Sequence, residues 1–311
     1  MRRFKAITLS LATFGLLLAA PAVSQAPGAA LAGFEAPDSA EAIASGITFA
    51  RYVRRGDEPQ VANVVTFDLT NPALRFAVTP ADRSGDMEYR AMLTTDFAER
   101  SGAAIAVNAS YFLPFKGGSR GGDDYYPHIG DPVSASGASR HMGQTVSPVE
   151  TDLDERVNAI ACFNGPLVLI ADGQTCPEHY PDSVAAGPRL LKDGVEQSYD
   201  AFGAGYANKR HPRASLGLSA DGKTAWIVVV DGRQEGFSIG ASLHELAEIY
   251  RSLGASDAMN LDGGGSTTLV GARAEGAELL NRPIHTGVPG RERPVANQIA
   301  VFAAPLPAEG E

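Results

Sequence analysis

Histidine, cysteine, positive charge and long apolar runs are all scarce in this sequence, and each scarcity excludes something. Its 311 residues hold six histidines and two cysteines. His244-Glu245 opens the zinc pattern H-E-x-x-H, but Glu248 stands where the second imidazole belongs, and no other metal-ligand spacing occurs. A phosphate-binding G-x-x-x-x-G-K-[ST] loop is also absent. Lysine and arginine total 26 against 36 aspartates and glutamates, a formal net charge of −10. An acidic chain is poorly matched to nucleic acid, whose binding rests on neutralising phosphates. Any anionic ligand must be held by a local cluster of arginine and amide groups. The one long uncharged apolar run, residues 6–20, is too short to span a bilayer comfortably.

That run follows Arg2, Arg3 and Lys5 and leads into small residues, the pattern of a signal peptide over residues 1–26, cut after Ala22 or Ala26. Removing three positive charges and no negative ones takes the net charge from −10 to −13. The expectation is an exported protein, secreted or periplasmic, with no membrane span. In an oxidising compartment Cys162 and Cys176 read as a disulfide rather than a metal site. They flank one short strand with turn signals, so the bridge staples a hairpin. Closing a loop of about 15 residues is worth roughly 3 kcal/mol in the chain-entropy model.

Residues 27–45 are rich in alanine, proline and glycine and read as a linker, leaving 46–305 as the folded domain. Beyond Ile47, short β-type runs alternate with turn signals at 61–67, 74–78, 103–107, 167–170, 215–218, 225–230 and 297–302. Ala220-Asp221-Gly222 marks a hairpin. Helical signals are few: one over 95–100, and a better one over 243–253. In the latter, Ser242 and Glu245 form a capping box, Leu243, Leu246, Ala247, Tyr250 and Leu253 share a face, and Gly254 stops the helix. Residues 116–147 are rich in Gly, Ser and Asp and read as a long, mobile loop over the substrate. The expected fold is α+β, a single domain with a mixed twisted sheet and few helices.

The most unusual stretch is 257–270, DAMNLDGGGSTTLV. Three consecutive glycines suit neither strand nor helix, but they let the backbone adopt unusual angles and approach a ligand closely. Consecutive amides in such a turn form an anion site, beside which Ser266, Thr267 and Thr268 add hydroxyls. Asp262 stands at its mouth. A plain turn between buried strands is the competing reading. The order strand 225–230, helix 243–253, strand 257–261 predicts a βαβ crossover with parallel strands. Asp231 and Asp262 then lie at the carboxyl ends of neighbouring strands, where ligand sites collect, roughly 5 Å apart. Paired carboxylates at that range are the equipment of glycosidic-bond hydrolysis. Asp231 in Asp231-Gly232 equally suits a simple turn. Gly117–Gly121 (GGSRG) matches the serine-hydrolase pattern, but glycine-rich loop on both sides of Ser119 denies it the strand–turn–helix setting. Arg213 reads either as a solvated charge at a strand edge or as a bidentate oxyanion clamp.

Asn260–Leu269 (NLDGGGSTTL) resembles the signature of the phosphodiester glycosidases, and further segments match in order. Asn108–Phe112 (NASYF) resembles N-G-G-x-F, with Ala109 and Ser110 replacing the two glycines. Ala186-Gly187-Pro188 with Leu190 resembles A-G-P-x-L. His211–Gly217 (HPRASLG) resembles P-R-T-A-I-G, with the hydroxyl moved to Ser215. Val229–Arg233 (VVDGR) and Arg293–Asn297 (RPVAN) complete a likeness covering about residues 60–303. The resemblance implies hydrolysis of a sugar-1-phosphodiester between the anomeric carbon and oxygen, in exopolysaccharide or cell-envelope glycan processing. The leaving phosphate monoester has a second pKa near 6, so it needs charge neutralisation more than protonation. Arg213, Arg233 or Arg293 with the amides of Gly263, Gly264 and Gly265 are expected to supply that. Asp262 is expected to activate water or attack the anomeric carbon, with Asp231 as partner. Asn108, Asn260, His211, Ser266 and Thr267 are expected substrate hydrogen-bonders. No cofactor is implied, although a structural calcium near Asp123, Asp124 and Asp131 stays open. Cleavage at phosphorus is the enzymatic rival and asks for a metal cluster. An exported, non-catalytic binder of phosphorylated glycans is the alternative from another class.

Overall fold

The computed structural model describes residues 30–82, 84–151 and 156–306. The signal expected over 1–26 and the first three residues of the expected linker lie outside the described residues. The rest of that linker folds. Ser39–Ala44 is the edge strand of the largest sheet, and Leu31 and Phe34 are buried beneath the neighbouring residues of the core.

That sheet has eight strands, in the order Ser39–Ala44, Ile47–Arg54, Gln60–Asp68, Thr224–Val230, Arg213–Ser219, Ala255–Asn260, Arg189–Lys192 and Val195–Glu196. The central strand Thr224–Val230 shows why its sequence is apolar at nearly every position. Ala225, Ile227 and Val229 face one core, while Trp226, Val228 and Val230 face another. The first core lies between this sheet and two five-stranded sheets. The second lies under the helix Leu243–Leu253.

The helix follows its sequence signals closely. Glu245 N–H donates to Ser242 Oγ at 3.1 Å and Ser242 N–H donates to Glu245 Oε2 at 2.9 Å, while Gly254 takes the left-handed conformation at φ 84°. Its Tyr250 ring packs against the strand at Gly217, where a β-carbon would come within 2.3 Å of Cε1. That contact is why glycine stands inside this strand.

The architecture is α+β and sheet-rich with few helices, as expected, but every ladder between named strands is antiparallel. The strand–helix–strand crossover exists, with its two strands running the same way. Arg213–Ser219 lies between them, however, hydrogen-bonded to both. Thr224–Val230 and Ala255–Asn260 are therefore two strand spacings apart, about 10 Å. The hairpin at Ala220-Asp221-Gly222 pairs Arg213–Ser219 with Thr224–Val230, and so fills the neighbouring position.

The stretch 116–147 is more ordered than its composition suggests. Pro132–Ser136, Ser139–His141 and Gln144–Ser147 are strands, and Pro132–Ser136 pairs with Tyr111–Leu113. In the remaining loop Asp124 accepts from Ser119 N–H, Asp131 from His128 N–H, and Asp123 pairs with His128 and Arg291. Among the described residues no group of three or more His, Cys, Asp or Glu is arranged around a metal position, and no helix is long and apolar enough to cross a membrane. Cys162 and Cys176 form the expected disulfide beside the hairpin Ala159–Asn164/Leu167–Asp172.

Candidate active site

The glycine turn is held from three directions. Asn260 ends its strand opposite Ser215. Leu261 N–H then donates to Ala214 O, Asp262 N–H to Ala109 O, and Gly264 N–H to Pro212 O, all within 2.8–2.9 Å. Asn108, at the end of Ile105–Asn108, clamps the turn from below. Its amide donates to Asp262 O at 2.6 Å and its Oδ1 accepts from Thr268 N–H at 3.0 Å. The Asp262 carboxylate is thereby fixed by backbone on both sides. Asn108 is fully buried and engaged, so its side chain braces the turn.

Each glycine has a separate reason. At Gly263 a β-carbon would lie 2.8 Å from Pro212 O. Gly264 is left-handed at φ 64°, with Arg233 Nη1 and Nη2 3.2 Å from where a β-carbon would stand. At Gly265 the intruder is Arg293, whose Nη2 would be 2.3 Å away. Two guanidiniums thus lie directly on the glycine backbone. Part of the expected amide nest is used internally, since Gly264 N–H is taken by Pro212 and Gly263 N–H bonds the Asp262 carboxylate.

Asp262, Arg293, Tyr111, Phe112 and Phe115 line a corner of about 140 Å³. Burial pushes the Asp262 carboxyl up to about 6, against a hydrogen bond from Ser266 and the charges of Arg293 and Arg233. Arg293 is held by three contacts. Its Nε–H donates to His285 Nδ1 at 3.1 Å, its Nη1–H donates to Ser266 Oγ at 3.1 Å, and its guanidinium sits 4.6 Å above the Phe115 ring. The Arg233 charge also acts on Asp262, and its Nη2 lies 3.3 Å from His211 Nδ1. Tyr111 and Phe112 also form the wall of a larger cleft of about 550 Å³, completed by Leu113, Ser136, Arg156, Phe202 and Tyr206. The rings of Phe202 and Tyr206 are stacked 5.4 Å apart.

Other expected site residues lie behind this surface. Asp231 is 1% exposed and accepts from Asn63 Nδ2, Asn281 Nδ2 and Arg282 N–H at 2.8–3.0 Å. Burial nevertheless raises it to about 6, the three hydrogen bonds opposing. It stands apart from Asp262 and outside the corner, so the two carboxylates do not form a side-by-side pair. Through Asn281, which donates to Thr267 O and accepts from Leu269 N–H, Asp231 braces the far end of the glycine turn. Arg213 has no exposed surface. It donates to Ala241 O, Tyr206 O and Lys209 O and stacks 4.6 Å from the Tyr206 ring. Its charge is committed to the protein's own carbonyls. Asn260 is fully buried and donates to Gly187 O at 2.9 Å; its Oδ1 has no partner, nor does Thr267 Oγ1.

Tyr111, Phe115, Tyr206 and His285 were not legible as site residues from sequence. Of these, Tyr111 alone stands in one of the family-like segments, and its hydroxyl meets that of Tyr206 at 3.0 Å through tertiary packing alone.

Asp262 thus stands under the charges of two arginines, in a corner that shares Tyr111 and Phe112 with an aromatic cleft. The model of the phosphodiester glycosidase family matches residues 101–302, and the chain belongs to that family. Membership implies a glycan substrate. Among solved structures, the zebrafish N-acetylglucosamine-1-phosphodiester alpha-N-acetylglucosaminidase catalytic domain, described as auto-inhibited by its pro-peptide, is similar with a TM-score of 0.58 and 16% identity over 85% of this chain and 87% of that one. A putative exported protein from Burkholderia pseudomallei also gives 0.58 at 16% identity, over 78% and 74%. A hypothetical protein from Synechocystis gives 0.56 at 17% identity, covering 83% of this chain and 62% of its own length. At these identities the likeness is one of fold. No curated protein is significantly similar.

Proposed function

We propose that the protein hydrolyses a sugar-1-phosphodiester at the bond between the anomeric carbon and the phosphate oxygen. The observation that carries this reading is Asp262 in one small corner with Arg293, with the Arg233 guanidinium against the glycine turn that follows. Asp262 serves as base towards water or as nucleophile at the anomeric carbon. The carbon–oxygen bond breaks, and the electron pair leaves on the phosphate. Because that group leaves as a stable anion, two fixed guanidiniums stand in for a general acid. One acidic residue at the corner is then sufficient. Asp231, Asn108 and Arg213 act behind the surface as braces of the turn and its flanking loop. The aromatic cleft takes the ring-bearing part of the glycan, since stacked faces suit the apolar side of a pyranose.

The Cys162–Cys176 disulfide supports the exported, oxidising setting that residues 1–26 lead one to expect. A glycan of the cell envelope or an exopolysaccharide would be the substrate met there. The test is release of reducing sugar from a sugar-1-phosphodiester. Release that grows with time and scales with protein supports hydrolysis; a signal capped at one equivalent identifies a binder instead.

A further inference from the structure

His285 is buried to 1% exposure, yet it belongs to no motif and its Nε2 has no partner. Its Nδ1 accepts the Nε–H of Arg293 at 3.1 Å. A ring nitrogen that accepts carries no proton, so the neutral ring bears its hydrogen on Nε2. The imidazole is itself fixed. The backbone N–H of His285 donates to Arg291 O at 2.9 Å within the turn 284–291, and the Tyr125 ring meets the imidazole edge-on at 4.4 Å. Arg291 stacks on the other part of that wall, 5.0 Å from the Tyr125 ring, and donates to Gly122 O and Thr286 Oγ1. Gly121 N–H donates to Thr286 O at 2.8 Å, so the glycine-rich loop is docked on this turn.

We infer that His285 is the positioning residue of Arg293, a neutral acceptor that turns the guanidinium so its Nη edge meets the anion. This rests on the placement of the phosphate beside Arg293 given above. A cationic imidazole would repel the guanidinium and lose the acceptor. Burial and the charges of Arg293 and Arg291 hold His285 down to about 3, which keeps it neutral over the working range. An acidic side chain in its place would pair with Arg293 and cancel the charge the phosphate needs. A neutral acceptor avoids both outcomes.

The test is a double-mutant cycle with a conservative rescue. His285→Ala is expected to lower kcat/KM for a sugar-1-phosphodiester at least tenfold, and His285→Asn, which keeps an acceptor near the Nδ1 position, to recover most of that loss. In an Arg293→Ala background, His285→Ala should cost little more, because nothing remains to be positioned. Additive losses, or failure of His285→Asn to rescue a protein with an unchanged melting curve, would overturn the inference. Ring nitrogen NMR supplies a readout that needs no turnover: the wild type should show a neutral His285 with its proton on Nε2. A proton on Nδ1, or a cationic ring at neutral pH, would also overturn it, whereas an inactive protein with the expected tautomer would count against the hydrolase reading alone.

Discussion

Arg293 crosses Gly265 so closely that a β-carbon there would lie 2.3 Å from Nη2 and 2.7 Å from the central guanidinium carbon. A hydrogen side chain at position 265 is thus a condition for where this arginine sits.

Gly265→Ala follows directly. The obstructing atoms are the far end of a flexible side chain, so the fold accommodates the methyl group by moving Arg293. Activity should fall at least tenfold while the melting temperature changes little. Gly263→Ala meets the backbone oxygen of Pro212 instead, and Gly264→Ala a left-handed backbone. Both should lower the melting temperature. Normal turnover in Gly265→Ala would detach Arg293 from catalysis.

Arg213 leads to a prediction about stability. Its guanidinium is buried among three backbone carbonyls, and hydrogen bonds from a charged donor contribute about 1.5–3 kcal/mol each. Lysine cannot reproduce the fork. Arg213→Lys should therefore reduce unfolding free energy by about 2 kcal/mol or more, with similar activity losses on phosphate-bearing and phosphate-free glycosides. A loss confined to the phosphate-bearing substrate, with unfolding in urea unchanged, would return Arg213 to the binding surface.

The pH dependence has a definite sign. Burial raises Asp262 and Asp231 to about 6, above the unfolded value of about 3.9. The folded state then holds more protons than the unfolded state between these values. Their contribution to stability is fully present below about pH 4 and is lost as pH rises through about 6. Over the same interval kcat/KM should increase, because a base or nucleophile must be ionised. Asp262→Asn should reduce the slope of the stability curve between pH 4 and 6 by about half, leaving the part due to Asp231. An equally steep curve in that variant would place the shifted titration elsewhere.

Local chemistry was legible where it was local. The capping box of Leu243–Leu253, the turn at Ala220-Asp221-Gly222 and the disulfide all depend on residues near in sequence. Ser39–Ala44 escaped notice because only Ala44 is buried, leaving an edge strand without apolar alternation. The position of Asp231 depended on which strand lies beside Thr224–Val230, which a βαβ pattern does not reveal when a hairpin intervenes. Arg213 was misleading for a related reason: a motif brings an arginine near the turn, but only packing shows which way its charge is directed. His285 and Phe115 entered the site wholly through the docking of distant loops.

The most direct test of the account is Asp262→Asn, measured as kcat beside calorimetric affinity for a sugar-1-phosphate, on protein with a normal melting curve. The backbone at position 262 is held by Ala109 and Asn108 whatever the side chain does, so the fold should survive. The account predicts a loss of at least about a hundredfold in kcat. Affinity should be equal or higher, because a negative charge has left the phosphate corner. A kcat near the wild-type value would contradict it.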